Sequence, residues 1–395
     1  AMVEGHPDWE TATARASSLY GRAGDLRSPF QRDYNRILHC TAFRRLKHKT
    51  QVFFATTDDH ICTRIEHVDI VSAVSYTIAN ALGLNTELTA ACSIGHDLGH
   101  APFGHAGEGI LTDLRAQDHG GERFWHERNS LRFVDHLETL QNPKGEQENL
   151  DLTYAVRDGI VCHCGEVDEN GLRPRAEALD LEDFRSAGEP APYTWEGCVV
   201  KLADKIAYLG RDLEDALYLG ILDEDDKQAL LDIVDPGRKV GLVDVSNTLI
   251  MHRLIKDVCT HSSPEQGIRL SPESVAIMDA LKDFNYRRIY RHPRVERFKR
   301  YAELVLATLH EALMDAYAGA DSPANVAALP SDTLARFFGQ WLEKYRITVQ
   351  PQSKRTYRRL YDLARREDYA DAVTDFLSGM TDSFAIKAFN ELIRF

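Results

Sequence analysis

The sequence predicts an all-α protein, and three observations carry that expectation. Apolar residues recur at spacings of three and four along most of the 395 residues. Period-2 alternation, the mark of half-buried strands, is nearly absent. A composition of 43% hydrophobic and 27% charged residues suits a globular chain able to bury one sizeable core or two smaller ones.

Taken in chain order, the first distinctive segment is basic. Between Arg27 and Lys49 stand Arg27, Arg32, Arg36, Arg44, Arg45, Lys47 and Lys49, with His39 and His48 among them and Asp33 the sole acid. In a chain of net charge −14 this run implies either an anionic ligand or a solvated helix face. Val71, Val74, Ile78 and Leu82 then form a helical stripe, closed by Gly83 at a C′ position. Asn85 or Thr86 caps the next helix, with Leu84 as a staple, and that helix runs through Leu88, Ala91 and Cys92 toward His96.

A further long helix begins near Cys198 and carries Leu202, Ile206, Leu209, Leu213 and Leu217. Residues 141 to 150 and 165 to 196 hold Pro, Gly and acids without a period, which predicts loops or an insertion. Residues 272 to 317 and 331 to 395 return to a helical pattern. With no repeat, low-complexity tract or linker, one large helical unit over residues 1–395 is expected. Its core spans about 60–220, with a basic N-terminal segment at about 27–55 and a C-terminal helical lobe at about 270–395.

The bulk numbers exclude several classes. There is no run of about 18 apolar residues and no signal-like start, so the expectation is a cytoplasmic protein without a membrane partner. Seven cysteines at irregular spacing predict reduced thiols rather than a disulfide framework. The acidic balance argues against general nucleic-acid affinity, leaving single-stranded ends at the basic cluster as a disfavoured option.

The chemistry concentrates between Ser93 and Glu108, where His96, Asp97, His100, His105 and Glu108 are separated by small residues and one proline. Packing alone does not select that mixture, and His with carboxylate suits divalent metals of intermediate hardness. His96 and Asp97 point about 100° apart on a helix, yet at a fraying C-terminus before Gly99 both can turn toward one ion. His67 opens the Val71 stripe, and Asp204 interrupts the apolar run from Val199 to Ile206. Taken singly, each reads as a satisfied core residue; taken with His96-Asp97, they complete a metal-ligand set. Asp204, Tyr208, Arg211 and Asp215, with Asp212 beside them, make a polar stripe that serves either as an internal salt-bridge ladder or as a site wall.

This H…HD…D pattern resembles the HD phosphohydrolase superfamily. The likeness extends to Ser28-Pro29-Phe30-Gln31-Arg32-Asp33, Thr41-Ala42-Phe43-Arg44-Arg45-Leu46, Lys49-Thr50-Gln51-Val52-Phe53, Arg64-Ile65-Glu66-His67, Ala203-Asp204-Lys205-Ile206-Ala207-Tyr208 and Gly379-Met380-Thr381-Asp382. With these blocks the chain resembles bacterial deoxyguanosinetriphosphate triphosphohydrolase-like proteins over nearly its whole length. The resemblance implies an HD-domain helical bundle with additional C-terminal helices. It also implies hydrolysis of a deoxynucleoside triphosphate, dGTP or another, to deoxynucleoside and tripolyphosphate.

The implied metal ligands are His67, His96, Asp97 and Asp204, for manganese or magnesium, with iron, zinc, cobalt and nickel as further options. His105 and Glu108 are the implied acid-base pair, and His100 and His126 contact phosphate or assist. Gln51 and Asp212 stand at the 3′-hydroxyl, with Tyr208 stacked where a ribose 2′-hydroxyl would collide. Arg64, Lys205 and Lys282 face the triphosphate, and Tyr286 and Tyr290 border the sugar or base. A homo-oligomer, tetramer or hexamer, and a nucleotide effector are implied as well. Ser383 departs from the pattern, since a larger basic or aromatic residue usually follows Gly379-Met380-Thr381-Asp382.

Two rival readings keep the same ligands. One is an HD nucleotidase or phosphodiesterase acting on monophosphates or cyclic nucleotides; the other is a non-catalytic nucleotide or nucleic-acid sensor. Cys162-His163-Cys164-Gly165-Glu166 has no second ligand pair at suitable spacing and reads as reduced structural thiols, with His163 approaching the cleft.

Overall fold

The computed structural model describes residues 1–17, 25–54, 58–142, 144–163, 170–188, 190–238, 240–242, 244–347 and 359–394. Among them helix predominates, and one small antiparallel hairpin, Thr139–Gln141 on Gln147–Asn149, overlaps residues 141 to 150, which the sequence led us to expect as a loop. The elements that build the site are labelled in chain order. They are α1 (Pro29–His39), α2 (Arg64–Ala81), α3 (Thr86–Gly95), α4 (Gly104–Asp118), α5 (His126–Arg132), α6 (Tyr154–Val161), α7 (Trp195–Tyr218), α8 (Pro272–Asn285), α9 (Pro293–Asp315), α10 (Asp332–Tyr345), α11 (Arg366–Ser378) and α12 (Asp382–Ile393).

Capping chemistry sets the ends of the central helices. The Thr63 amide donates to Glu66 at 2.7 Å, satisfying one donor at the start of α2. The helix closes through Leu82 into Gly83, at φ 67°, a left-handed value that costs a β-carbon little only when it is missing. Asn85 accepts from the amides of Glu87 and Leu88 to start α3, and Thr194 accepts from Gly197 to start α7. The long helix thus begins three residues earlier than the apolar pattern predicts, because Trp195, Glu196 and Gly197 precede the periodic run.

Helix α2 packs on both α3 and α7, and α1 and α6 cover the other side of α3. Val71 and Ile78 are fully buried, each contributing roughly 2 kcal/mol of transfer free energy. One hydrophobic cluster runs from Met2 and Phe30 through Val68, Ile94 and Phe103 to Leu306, Val373 and Phe389. The C-terminal helices α9 to α12 therefore bury their faces in the same core as the helices that carry His67 and His96. A second cluster joins Ile206 and Leu209 of α7 to Leu254, Leu281 and Ile289.

The basic run is mostly consumed internally. Arg27 and Arg32 pair with Asp25, Arg45 pairs with Glu138, and Arg36 donates to the carbonyls of Leu150 and Asp151. Lys49 is 1% exposed, while Arg44 and Lys47 face solvent. Six cysteines are free; Cys164, Gly165 and Glu166 lie outside the described residues. No helix among the described residues is long and apolar enough to cross a membrane.

Candidate active site

The end of α3 delivers His96 and Asp97 to the centre of the molecule. His96 ends the helix in αR geometry, and its Nδ1 donates to the Ser93 carbonyl at 2.6 Å, which leaves the Nε2 lone pair facing inward. That Nε2 is buried and has no hydrogen-bond partner. It lies 3.7 Å from Asp97 Oδ2 and 3.9 Å from Asp204 Oδ1, and His67 Nε2 stands 3.0 Å from the same Asp204 oxygen. His67, His96 and Asp204 offer ligand atoms within 4.8 Å of one another. An orphaned buried imidazole acceptor beside two carboxylates fits a divalent cation, with the Ser93 carbonyl supplying the outer contact that such a ligand normally has.

Electrostatics keep the carboxylates charged. Burial works to raise Asp97, but the Arg64 guanidinium at 2.6 Å, with His96, His100 and His126, holds it well below the usual range. Burial opposes Asp204 in the same way and is outweighed by its hydrogen bond to His67 and by the neighbouring imidazoles. Desolvation pulls His67 down, toward the neutral form a ligand needs.

The turn after Asp97 is built on close approaches. A β-carbon at Gly99 would lie 2.1 Å from the Ser130 amide nitrogen, and one at Gly107 would lie 1.8 Å from the Pro102 carbonyl oxygen. Small residues in this segment let α5 and the turn touch backbone to backbone, with Ser130 Oγ accepting from the Gly99 amide and donating to the His96 carbonyl. Phe103 then adopts φ 65°, a left-handed value that is uncommon for a bulky residue, and opens α4.

Glu108 sits among three imidazoles. One of its oxygens accepts from the His126 amide and Nδ1, both at 2.8 Å; the other lies 3.6 Å from His105 Nδ1 and 3.7 Å from His100 Nε2. Burial alone raises its pKa, yet His126, His105 and His100 together hold it well below its usual value. His126 Nε2 points on to Asp97 Oδ1 at 3.6 Å. Buried His100 is pushed well below its usual range by desolvation, Arg64 and His126, and its Nε2 has no hydrogen-bond partner.

A cavity of about 920 Å³ opens over this cluster. Its lining brings together Gln51, Arg64, His67, Asp97, His105, His126, Asp204, Lys205, Tyr208, Asp212, Tyr286 and Tyr290 of the residues expected from the sequence. His96, His100 and Glu108 stand behind that lining, and Lys282, half-buried on α8, is not part of it. The α7 stripe divides by role. Arg211 and Asp215 form an ion pair at 3.0 Å, and Asp215 also accepts from the Cys62 amide, whereas Asp212 turns inward to accept from the Tyr290 hydroxyl at 2.5 Å. Burial raises Asp212 to about 7. Tyr286 and Tyr290 belong to a π-helical turn between α8 and α9, which brings both rings to the cavity despite a spacing usual for core aromatics.

His163 lines the cavity too. Its Nδ1 bonds the Ile160 carbonyl at 2.7 Å, leaving Nε2 without a partner, and burial with His96 and His126 brings it down to about 3. Sequence reasoning missed the α9 wall, with Phe298, Lys299 and Glu303, and the α4 residues Asp113 and Gln117. The stacking of Phe298 on Phe54 at 5.1 Å is a contact that no local pattern announces. Ser383 lies elsewhere, in a second hollow of about 640 Å³ with Tyr301 and Arg394.

A helical core that converges two histidines and two aspartates beneath a cleft defines the HD class of phosphohydrolases. A family model described as HD domain matches residues 64–209, and one described as phosphohydrolase-associated domain matches residues 268–337. A protein of Desulfatibacillum aliphaticivorans named deoxyguanosinetriphosphate triphosphohydrolase-like protein is 38% identical over 293 residues, covering 73% of this chain and 74% of its own length. One of the same name from Caldanaerobacter subterraneus is 31% identical over 368 residues, or 93% and 86% of the two chains. A Mesorhizobium japonicum deoxyguanosinetriphosphate triphosphohydrolase-like protein 1 is 33% identical over 406 residues, or 93% and 89%. The chain belongs to this deoxyguanosinetriphosphate triphosphohydrolase-like family.

Proposed function

We propose that the chain hydrolyses deoxynucleoside triphosphates, dGTP among them, to deoxynucleoside and tripolyphosphate. The observation that carries the reading is the sharing of one cavity by the His67–Asp97–Asp204 cluster, the cations Arg64 and Lys205, and the polar and aromatic residues Gln51, Tyr208 and Asp212. The relatives' names, which specify deoxyguanosine triphosphate, support the same substrate class.

A divalent ion held by His67, His96, Asp97 and Asp204, manganese or magnesium first among the options, supplies Lewis-acid polarisation of the phosphate ester and neutralises charge. Arg64 is anchored by one guanidinium nitrogen to Asp97 while its Nη2 has no partner, so it can meet a phosphate oxygen. The side-chain oxygen of Gln51 is likewise buried and unpartnered, and it can accept a sugar hydroxyl. Asp212 and Tyr208 share that end of the cavity, where a ring packed on the sugar would exclude a 2′-hydroxyl by volume. His105 at the mouth and His126 deeper in are the proton carriers, both tied to Glu108, and protonation of the departing 5′ oxygen falls to this pair.

Incubation of the protein with each dNTP and Mn²⁺ or Mg²⁺, with identification of the phosphate product, tests the reading. Tripolyphosphate supports it, and pyrophosphate, orthophosphate or no turnover sinks it; turnover of deoxynucleoside monophosphates or cyclic nucleotides in the same assay then favours the nucleotidase or phosphodiesterase reading, and turnover of none of these favours the sensor. Sedimentation with and without nucleotide tests the tetramer or hexamer and the effector that belong to the same reading.

A further inference from the structure

Asp382, at the first position of α12, is 4% exposed and reaches across the molecule to two loops of the site. Its Oδ2 accepts from the Thr50 main-chain amide at 2.9 Å and from the Thr50 hydroxyl, and its Oδ1 accepts from the Phe103 amide at 2.8 Å. Thr50 precedes Gln51, and the Thr50 carbonyl accepts from Arg64 Nε at 3.4 Å. Phe103 opens α4, the helix that carries His105 and Glu108. The two loops also touch directly, since a β-carbon at Gly104 would lie 2.6 Å from the Gln51 carbonyl oxygen. A second strut lies alongside: buried Lys49 donates through Nζ to the Ser378 carbonyl at 2.8 Å and to the His100 carbonyl.

From this geometry we infer that Asp382 is a positioning residue, which sets His105 and Glu108 against Gln51 and Arg64 and so governs turnover without touching substrate or the four metal ligands. The inference rests on the triphosphohydrolase reading for the reaction being tuned. A left-handed phenylalanine persists only where its surroundings impose it, and the Asp382 carboxylate is the acceptor that holds the Phe103 amide in that posture. Without it, two buried main-chain amides lose their partner, and the loops relax to satisfy them. Asparagine keeps the volume but offers one acceptor oxygen in place of two, so it can serve Thr50 or Phe103 and not both.

The test compares Asp382→Asn with the wild type, both loaded with Mn²⁺. It reads metal stoichiometry, thermal melting, amide hydrogen exchange over residues 48–53 and 99–106, and steady-state kinetics with dGTP. The expected result is unchanged metal content, a cooperative melt and faster exchange confined to those two segments. Turnover should fall about tenfold or more with KM within about threefold, the pattern of a misplaced reacting group. Should Asp382→Asn not fold, Thr50→Val, which removes the hydroxyl arm alone, decides the matter by a smaller loss of kcat in the same direction. A folded variant with unchanged kcat, or exchange that accelerates equally through α2, α3 and α7, overturns the inference. Exchange needs no substrate, so if the wild type hydrolyses no dNTP, the functional reading fails while the positioning claim is still judged.

Discussion

Glu108 receives two hydrogen bonds from His126, one from the main-chain amide and one from Nδ1, both at 2.8 Å. The carboxylate thereby fixes the tautomer of a ring whose other nitrogen faces Asp97. Glu108→Gln keeps the shape and loses the charge that orients the imidazole. Turnover is expected to fall about 100-fold or more with metal content unchanged, checked by kcat and bound-metal analysis. Full activity in the folded variant would remove Glu108 from the mechanism.

His105 presents a different case, because its side chain is 66% exposed and contributes little packing. His105→Ala should melt at the wild-type temperature and bind Mn²⁺ normally, yet lose about 100-fold in kcat. Calorimetry on the same sample used for kinetics separates these effects, and undiminished turnover assigns the proton transfer elsewhere.

Removal of the ion should cost both stability and activity. On the proposed reading, ligands gathered from α2, the α3 terminus and α7, three of them buried and Asp204 partly exposed, link metal binding to folding by mass action, worth about 2.7 kcal/mol at a hundredfold excess over Kd. The melting temperature of the stripped protein should therefore climb with added Mn²⁺ and saturate. Asp204→Ala, which removes the carboxylate shared by His67 and His96, should show no such climb.

Asp212 predicts a pH dependence of opposite sense to a paired carboxylate. Burial, against the Tyr290 hydrogen bond and with help from Asp215, raises it to about 7. A carboxyl raised on folding contributes its stability below its unfolded pKa of about 4, and that contribution is lost as pH rises toward 7. Asp212→Asn should match the wild type near pH 4 and exceed it at pH 8, by about 1–4 kcal/mol. Catalysis should weaken meanwhile, as expected where a strained group serves function. Equal melting temperatures at pH 8 would contradict the burial argument.

Gly99→Ala tests the backbone contact between the turn and α5. Its added methyl meets main-chain atoms of Asn129 and Ser130 that cannot rotate away. We expect poor folding, or a folded fraction with weakened metal binding because the His96-Asp97 turn has shifted, read by circular dichroism and metal titration. A well-folded variant with wild-type affinity would show that the contact can relax.

The convergence of four candidate ligands was legible because adjacent His96-Asp97, His67 at a helix start and Asp204 breaking an apolar run each violate a local pattern. The helix ends at Gly83 and Asn85 were legible for the same local reason. Lys49 was not: in sequence it belongs to a basic patch, and only the fold shows its ammonium inside, brought down to about 7 by burial. Nor could spacing reveal His126 as the closest partner of Glu108, or Phe298 and Lys299 as cavity wall, since separate helices bring these groups together. The acceptor role of Asp382 was hidden similarly, its motif being visible but its partners more than two hundred and seventy positions away.

That distance along the chain gives synthesis an order. A ribosome delivers His67, His96, Asp97 and Asp204 well before it delivers the carboxylate that grips Thr50 and Phe103. At ordinary elongation rates the gap is on the order of ten seconds to half a minute. Until then the loops of Thr50 and Phe103 lack their shared acceptor, and the core that Val68 and Ile94 share with Val373 and Phe389 is incomplete, so the site can be finished only once the end of the chain has arrived.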